Sequence, residues 1–192
     1  MNKKISLLIS FGIIVLLIGI DQLTKWLCNT NETLLSGDRI MVIEHVVSLR
    51  LAYNKGAAWS ILEGKKFLLV SISLLASIGV AAMLVKFNDF KKNLLLTIAL
   101  ILIDAGSIGN LIDRAFYSEG VIDFIHLEFI DFPTFNFADS CLTCGAIVLM
   151  VYVLFFYKEP NKKVPLNEEL GEEEYAKNWI NCRRIIRRIT CR

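Results

Sequence analysis

The sequence predicts an all-α polytopic membrane protein, with four transmembrane helices, a small extracytoplasmic β-element and an interfacial loop. Three observations carry this expectation. Apolar residues make up 55% of the 192 residues and the mean hydropathy is +0.54, which places the chain in the membrane class before any motif is read. Four stretches approach or exceed the roughly 20 residues of helix that a hydrocarbon core demands. Lys and Arg, finally, are spread unevenly over the connections between those stretches, as a fixed membrane orientation requires.

The first span, Ile5 to Cys28, follows Lys3 and Lys4 and ends in polar Asp21, Gln22 and Lys25. No small-residue cleavage pattern follows its apolar run, so it is expected to stay as an uncleaved first helix. The connection from Asn29 to Lys66 is too long for a turn. Within it, Val47 to Asn54 alternates, with Val47, Leu49, Leu51 and Tyr53 on one face and Ser48, Arg50, Ala52 and Asn54 on the other, the period of a strand. Spans two and three run from Phe67 to Val85 and from Leu94 to Ile112, and the fourth from Cys141 to Tyr157. Between the last two lies a loop rich in phenylalanine (Phe116, Phe124, Phe129, Phe132, Phe135, Phe137), suited to dip into the headgroup region.

Lys3 and Lys4, then Lys86, Lys91 and Lys92, then the basic tail after Lys158 mark one side of the membrane as cytoplasmic. Both termini are therefore expected inside, with the two polar connections outside. The chain divides into a membrane domain over 1–158 and a charged cytoplasmic tail over 159–192. In that tail Trp179, Cys182, Ile185, Ile186 and Ile189 recur at helical spacing opposite Arg183, Arg184, Arg187 and Arg188, the pattern of a helix lying on an anionic leaflet; a solvated disordered tail fits equally well. No nucleic-acid site is evident.

Five cysteines include one C-x-x-C, Cys141 and Cys144, which opens an apolar helix and reads as small core residues rather than as a redox or zinc motif. A disulfide with Cys28 is left open. His45 and His126 lack the partners of a metal site, no Ser/Lys nucleophile pair shares a register, and neither a metal nor another cofactor is expected.

The chemistry concentrates in short polar clusters at the outer ends of the spans. Asp21 and Lys25 stand four apart, the spacing of an ion pair along a helix. Gly106, Asn110, Asp113 and Arg114 share one face of span three; alone they would read as an interfacial stop with a charge pair. Asn136 and Asp139 have the spacing of a helix cap with an acid in the first turn. Capping does not explain Asp123, which interrupts Val121-Ile122 and Phe124-Ile125 where a buried strand would run. It needs a partner or a proton there. If Asp123 and Asp139 come together, two carboxyls in a poorly solvated site share one proton, as an aspartic protease requires.

Taken in order, D-Q-x-x-K (Asp21 to Lys25), N-x-G-A-A-W (Asn54 to Trp59), G-N-x-x-D-R (Gly109 to Arg114), V-I-D-F-I (Val121 to Ile125) and F-N-x-A-D (Phe135 to Asp139) resemble lipoprotein signal peptidase, or signal peptidase II. The resemblance covers Ile5 to about Tyr157. It implies a bacterial plasma-membrane aspartyl endopeptidase that removes signal peptides from diacylglyceryl-modified prolipoproteins, cutting before the lipidated cysteine. Asp123 and Asp139 would be the catalytic pair, with Asn54, Asn110, Asp113, Arg114 and Asn136 supporting the site or binding substrate, and Asp21 and Lys25 structural. The implied partners are the prolipoprotein and membrane lipid, acting on a monomer.

One acid departs from the pattern. Asp104 falls near mid-membrane, about 160° round its helix from Gly106, and is expected to face away from the cluster, protonated and hydrogen-bonded to a neighbouring helix through a serine. The rival from another class, a small proton- or ion-coupled transporter, expects acids through the membrane depth, whereas all but Asp104 gather at one face. A presenilin-like protease would carry its acids inside helices, and its motifs are missing.

Overall fold

The computed structural model describes residues 2–56, 65–157, 177, 179 and 180. Among the described residues four helices are long and apolar enough to cross a membrane: Lys3–Asn29, Lys66–Phe87, Leu94–Phe116 and Phe137–Phe156. They are α1 (Lys3–Asn29), α3 (Lys66–Phe87), α4 (Leu94–Phe116) and α5 (Phe137–Val151), the last followed by a π-helical turn, Tyr152–Phe156; a single-turn α2 spans Glu32–Leu35. Each helix overlaps a span read from the apolar runs. The third is a turn longer than its apolar run and the fourth starts four residues earlier, because polar residues at these ends find partners inside the protein and need not leave the helix.

Packing divides the chain into two compact units, Met1–Met150 and Val151–Arg192. In the first, α4 is central: 56% of its apolar stretch is buried, against 22% for α1 and 17% for α3. The large apolar side chains left bare on α1 and α3, such as Leu8, Leu16, Phe67 and Leu75, are what a lipid-facing surface requires. Glycines let α5 and α1 press against α4. A Cβ on Gly106 would fall 2.4 Å from the Ala138 carbonyl oxygen, and one on Gly109 would fall 2.7 Å from an Asp21 carboxylate oxygen. Such close helix approach is typical of membrane bundles.

The expected strand Val47–Asn54 forms as read and is the centre of a three-stranded antiparallel sheet, ordered β1 (Ile40–Ile43), β2 (Val47–Asn54), β3 (Val121–Leu127). Its two faces are less regular than the alternation suggests. A register shift between Leu49 and Ala52 interrupts the β2–β3 ladder and re-aims the side chains, leaving Ser48 buried and Tyr53 exposed. Leu49 and Leu51 pack with Phe124, Cys28 and Leu34 in a small core that seats the sheet on the end of α1. On the far side of β3, Phe135 exchanges backbone hydrogen bonds with Ile125 at 2.7 and 3.0 Å, so the chain enters α5 alongside Asp123.

Of the two C-x-x-C residues, Cys141 is buried but Cys144 is exposed, which corrects the expectation that both are core. Cys28, Cys141 and Cys144 are all free thiols. The amphipathic pattern of the tail, with Cys182 and Cys191, lies outside the described residues apart from Trp179.

Candidate active site

Four elements meet where α4 ends: the last turns of α1 and α4, the strand β3 and the first turn of α5. Asn136 joins them. Its side-chain oxygen accepts the Asp139 N–H at 2.9 Å while its own N–H donates to Asp139 Oδ2 at 3.1 Å, a reciprocal cap that satisfies orphan donors at the start of α5. The Asn136 amide nitrogen donates to Asp123 Oδ1 at 2.7 Å, Asn110 Oδ1 at 3.0 Å and the Ile122 carbonyl at 3.2 Å. One asparagine therefore holds both acids, Asp123 by its side chain and Asp139 through the cap. Asn110 completes the hold by donating to Asp139 Oδ1 at 2.8 Å.

A buried ion cluster stands behind this group. Lys25 Nζ lies 2.8 Å from Asp21 and 2.7 Å from Asp113, and donates to Asn110 Oδ1 at 3.1 Å. Asp113 also accepts the backbone N–H of Ile122 at 3.2 Å, next to Asp123 in the chain, and Asp21 accepts the N–H of Ala138 at 2.9 Å, next to Asp139. Each carboxylate of the cluster thus fixes the backbone beside one member of the pair. The Asp21–Lys25 pair foreseen along α1 is present, but it is fully buried and shared with α4. Asp113, expected to pair with its neighbour Arg114, pairs with Lys25 instead. Gln22 was not singled out from the sequence, yet its amide reaches Asp21, Asp113 and the Gly109 carbonyl at 3.0–3.2 Å. Its only signal was its place within D-Q-x-x-K.

Asp123 is 3% exposed. Burial, and next the nearby charge of Asp139, push its pKa up to about 7, against the opposing pull of the Asn136 and Asn54 amides and of Lys25. Asn54, at the end of β2, turns its side-chain oxygen to the Gly56 N–H at 2.9 Å. The Arg114 guanidinium lies in electrostatic reach of Asp139, Asp123 and Asp113. It reaches the Gly56 carbonyl at 3.4 Å, while its Nε is buried without a partner among the described residues. All nine site residues named from the sequence are brought together.

Asp104 stands apart and differs from expectation. It is buried, but among the described residues its Oδ1 has no hydrogen-bond partner. Ser77 on α3 and Ser107 on α4 bond to each other at 2.8 Å. His126 faces the Thr134 hydroxyl at 3.5 Å and His45 occupies an exposed turn with positive φ (59°). Among the described residues no cluster of His, Cys, Asp and Glu could hold a metal ion.

A helical bundle with four membrane-length helices among the described residues, carrying the buried Asp123 and the half-buried Asp139 beside a small sheet, defines a membrane enzyme. Residues 13–155 match the family model of signal peptidase (SPase) II. The chain is 38% identical to a lipoprotein signal peptidase of Staphylococcus aureus over 80% of this chain and 93% of that protein. It is 37% identical to one of Enterococcus faecalis over 77% and 89%. Its fold is similar to a bacterial membrane enzyme solved by the in meso method at 2.3 Å resolution, with a TM-score of 0.70 and 34% identity over 81% of this chain and 94% of that one. The chain belongs to the signal peptidase II family. Nothing in these likenesses supports the transporter reading.

Proposed function

We propose that the protein is an aspartyl endopeptidase that removes signal peptides from diacylglyceryl-modified prolipoproteins, with Asp123 and Asp139 as its catalytic pair. Family membership supports the reaction. The observation that carries the catalytic assignment is the hold of Asn136 on both acids. Asp123, its pKa raised to about 7, serves as the acid of the pair, and Asp139, whose Oδ1 accepts from the Asn110 amide and whose Oδ2 accepts from the Asn136 N–H, serves as the base. Asp139 takes a proton from water as the water oxygen attacks the carbonyl carbon of the residue before the lipidated cysteine. Asp123 hydrogen-bonds the carbonyl oxygen; as the tetrahedral intermediate collapses and the C–N bond breaks, Asp123 gives its proton to the leaving nitrogen, and the proton that Asp139 took from water returns the pair to its singly protonated state. The products are a signal peptide with a new carboxylate and a lipoprotein with a free cysteine α-amine. Asn54 and Arg114, beside the pair, orient the peptide, while Asp21, Lys25, Asn110, Asp113 and Asn136 hold the acids in place.

The Lys and Arg bias supports an orientation with both termini cytoplasmic and the site at the outer face of a bacterial plasma membrane. A substrate anchored by its acyl chains reaches such a site laterally from lipid. Residues 1–158 are the peptidase and 159–192 a cytoplasmic tail, and the enzyme works as a monomer without a metal. Incubating the purified protein with a prolipoprotein in its diacylglyceryl-modified and unmodified forms, with and without chelator, tests this. Release of a product starting at the modified cysteine, unaffected by chelator and absent for the unmodified form, is expected. Equal cleavage of both forms, or loss of cleavage with chelator, refutes it.

A further inference from the structure

The end of the bundle opposite the acid pair holds a second polar assembly that peptide hydrolysis does not use. Asn88, at the C-terminus of α3, is buried. It donates to the Ser10 hydroxyl at 2.8 Å and accepts from the Ser6 hydroxyl, and Ser10 in turn donates to the Ser6 carbonyl at 3.0 Å. The start of α1 is thereby pinned to the end of α3. Next to this knot opens a cavity of about 240 Å³ lined by Lys3, Ser6, Lys86, Asn88, Asp89 and Asn93, with Phe87 at its wall.

The lining is cationic. Lys3 and Lys86 are both exposed and carry their charge to the cavity from two different helices, the Lys86 ammonium lying 5.1 Å from the centre of the Phe87 ring. The one acid, Asp89, is an ionised carboxylate, held below its usual range by the backbone N–H groups of Lys92 and Lys91, to which its Oδ1 is bonded at 3.1 and 3.0 Å. That engagement turns it toward its own turn. Among the described residues Asn93 makes no side-chain cap hydrogen bond to α4, and its amide lines the cavity. Apolar side chains of the same helix ends, Ile5, Val85 and Leu94, are 50–55% exposed, so a molecule held in the cavity would have hydrocarbon-compatible surface beside it.

We infer that this cavity binds the phosphate-bearing headgroup of an anionic phospholipid, with Lys3 and Lys86 paired to the phosphate and its acyl chains lying along α1, α3 and α4. Basic cavities between helix ends on the cytoplasmic side are suited to such headgroups. The apolar flank favours a lipid over free phosphate, since a soluble anion would leave that flank unused.

The test measures phospholipid retained by the purified protein in neutral detergent, by native mass spectrometry, after exposure to mixed phosphatidylglycerol and phosphatidylcholine. The wild type is expected to retain phosphatidylglycerol preferentially, and the double variant Lys3→Gln/Lys86→Gln to lose about thirtyfold of that preference, as removal of two near-surface charges implies. A Lys91→Gln/Lys92→Gln variant, which removes the same charge away from the cavity lining, should keep it. Equal loss in both variants would mean diffuse attraction and overturn the site, as would a wild type without preference. Inorganic phosphate in excess should not displace the lipid; displacement would assign the cavity to the free anion instead. Prolipoprotein cleavage in detergent, unchanged in both variants, checks that they are folded and keeps this outcome separate from that of the catalytic assignment.

Discussion

Asp123 shows how a single residue can carry both chemistry and a cost in stability. Burial and the charge of Asp139 raise its pKa to about 7, so ionising it is harder in the folded protein than in the unfolded chain. The stability this contributes is full below the unfolded value of about 4 and is lost as pH rises through about 7. Asp123→Asn should therefore unfold at a higher temperature than the wild type at pH 8, with the gap narrowing toward pH 5; thermal unfolding in detergent at both pH values measures it, and a gap independent of pH would contradict it. On the proposed mechanism the same proton governs catalysis. Cleavage by the wild type should fall as pH rises through about 7, where Asp123 loses the proton that the carbonyl oxygen requires, and a rate that keeps climbing to pH 9 would be incompatible with Asp123 as the acid. Asp123 stood out in the sequence because an acid within an apolar strand has no cheap structural reason to be there, whereas Asp139 read by itself as the acid of a helix cap. Gln22 and the true partner of Asp113 were not legible, since both depend on how α1 and α4 are rotated against each other. Asp104 was expected to bond a serine, but among the described residues its Oδ1 has no partner.

At the scale of elements, the start of α5 and the crossing of α4 with α1 and α5 decide whether the acids meet. The spacing of Asn136 and Asp139 announced a cap, and the reciprocal bonds of that cap are present. What the spacing could not announce is that the same Asn136 side chain also reaches Asp123. Asn136→Ala should cost about 1 kcal/mol through the lost cap and, beyond that, should lower cleavage far more than stability, because Asp123 and Asn110 lose a shared donor. A variant with cleavage intact would argue against Asn136 as the joint. Gly109→Ala places a methyl group 2.7 Å from Asp21 and 3.1 Å from the Ala138 side chain, so α1 and α5 must both move off α4. It should lower the unfolding temperature by several degrees, on the scale of an overpacked core at about 1–3 kcal/mol; an unchanged melting curve would show that the crossing is looser than described. Strand β2 was readable from its alternation. Strand β1 was not, being four residues of continuous apolar character, Ile40–Ile43, and the register shift within β2 leaves no mark in a period-two pattern.

For the whole molecule, the four apolar runs and the charge bias set the class, while the site depends on pieces drawn from α1, α4, β3 and α5. Lys25 is what makes them one body. It is buried against Asp21 and Asp113, and those two carboxylates hold the backbone beside Asp139 and Asp123 respectively. Lys25→Met would leave two buried carboxylates without a counter-charge, a loss on the order of 3–5 kcal/mol. Unfolding within a degree of the wild type would show that the cluster is dispensable to the fold. The paired-acid centre itself is tested most directly by cleavage of a diacylglyceryl-modified prolipoprotein by the wild type, Asp123→Asn and Asp139→Asn, each shown by thermal unfolding to be folded. Loss of about a thousandfold or more in rate in each variant is predicted, the scale of a missing general acid or base. Either folded variant retaining more than about a tenth of the wild-type rate would contradict it.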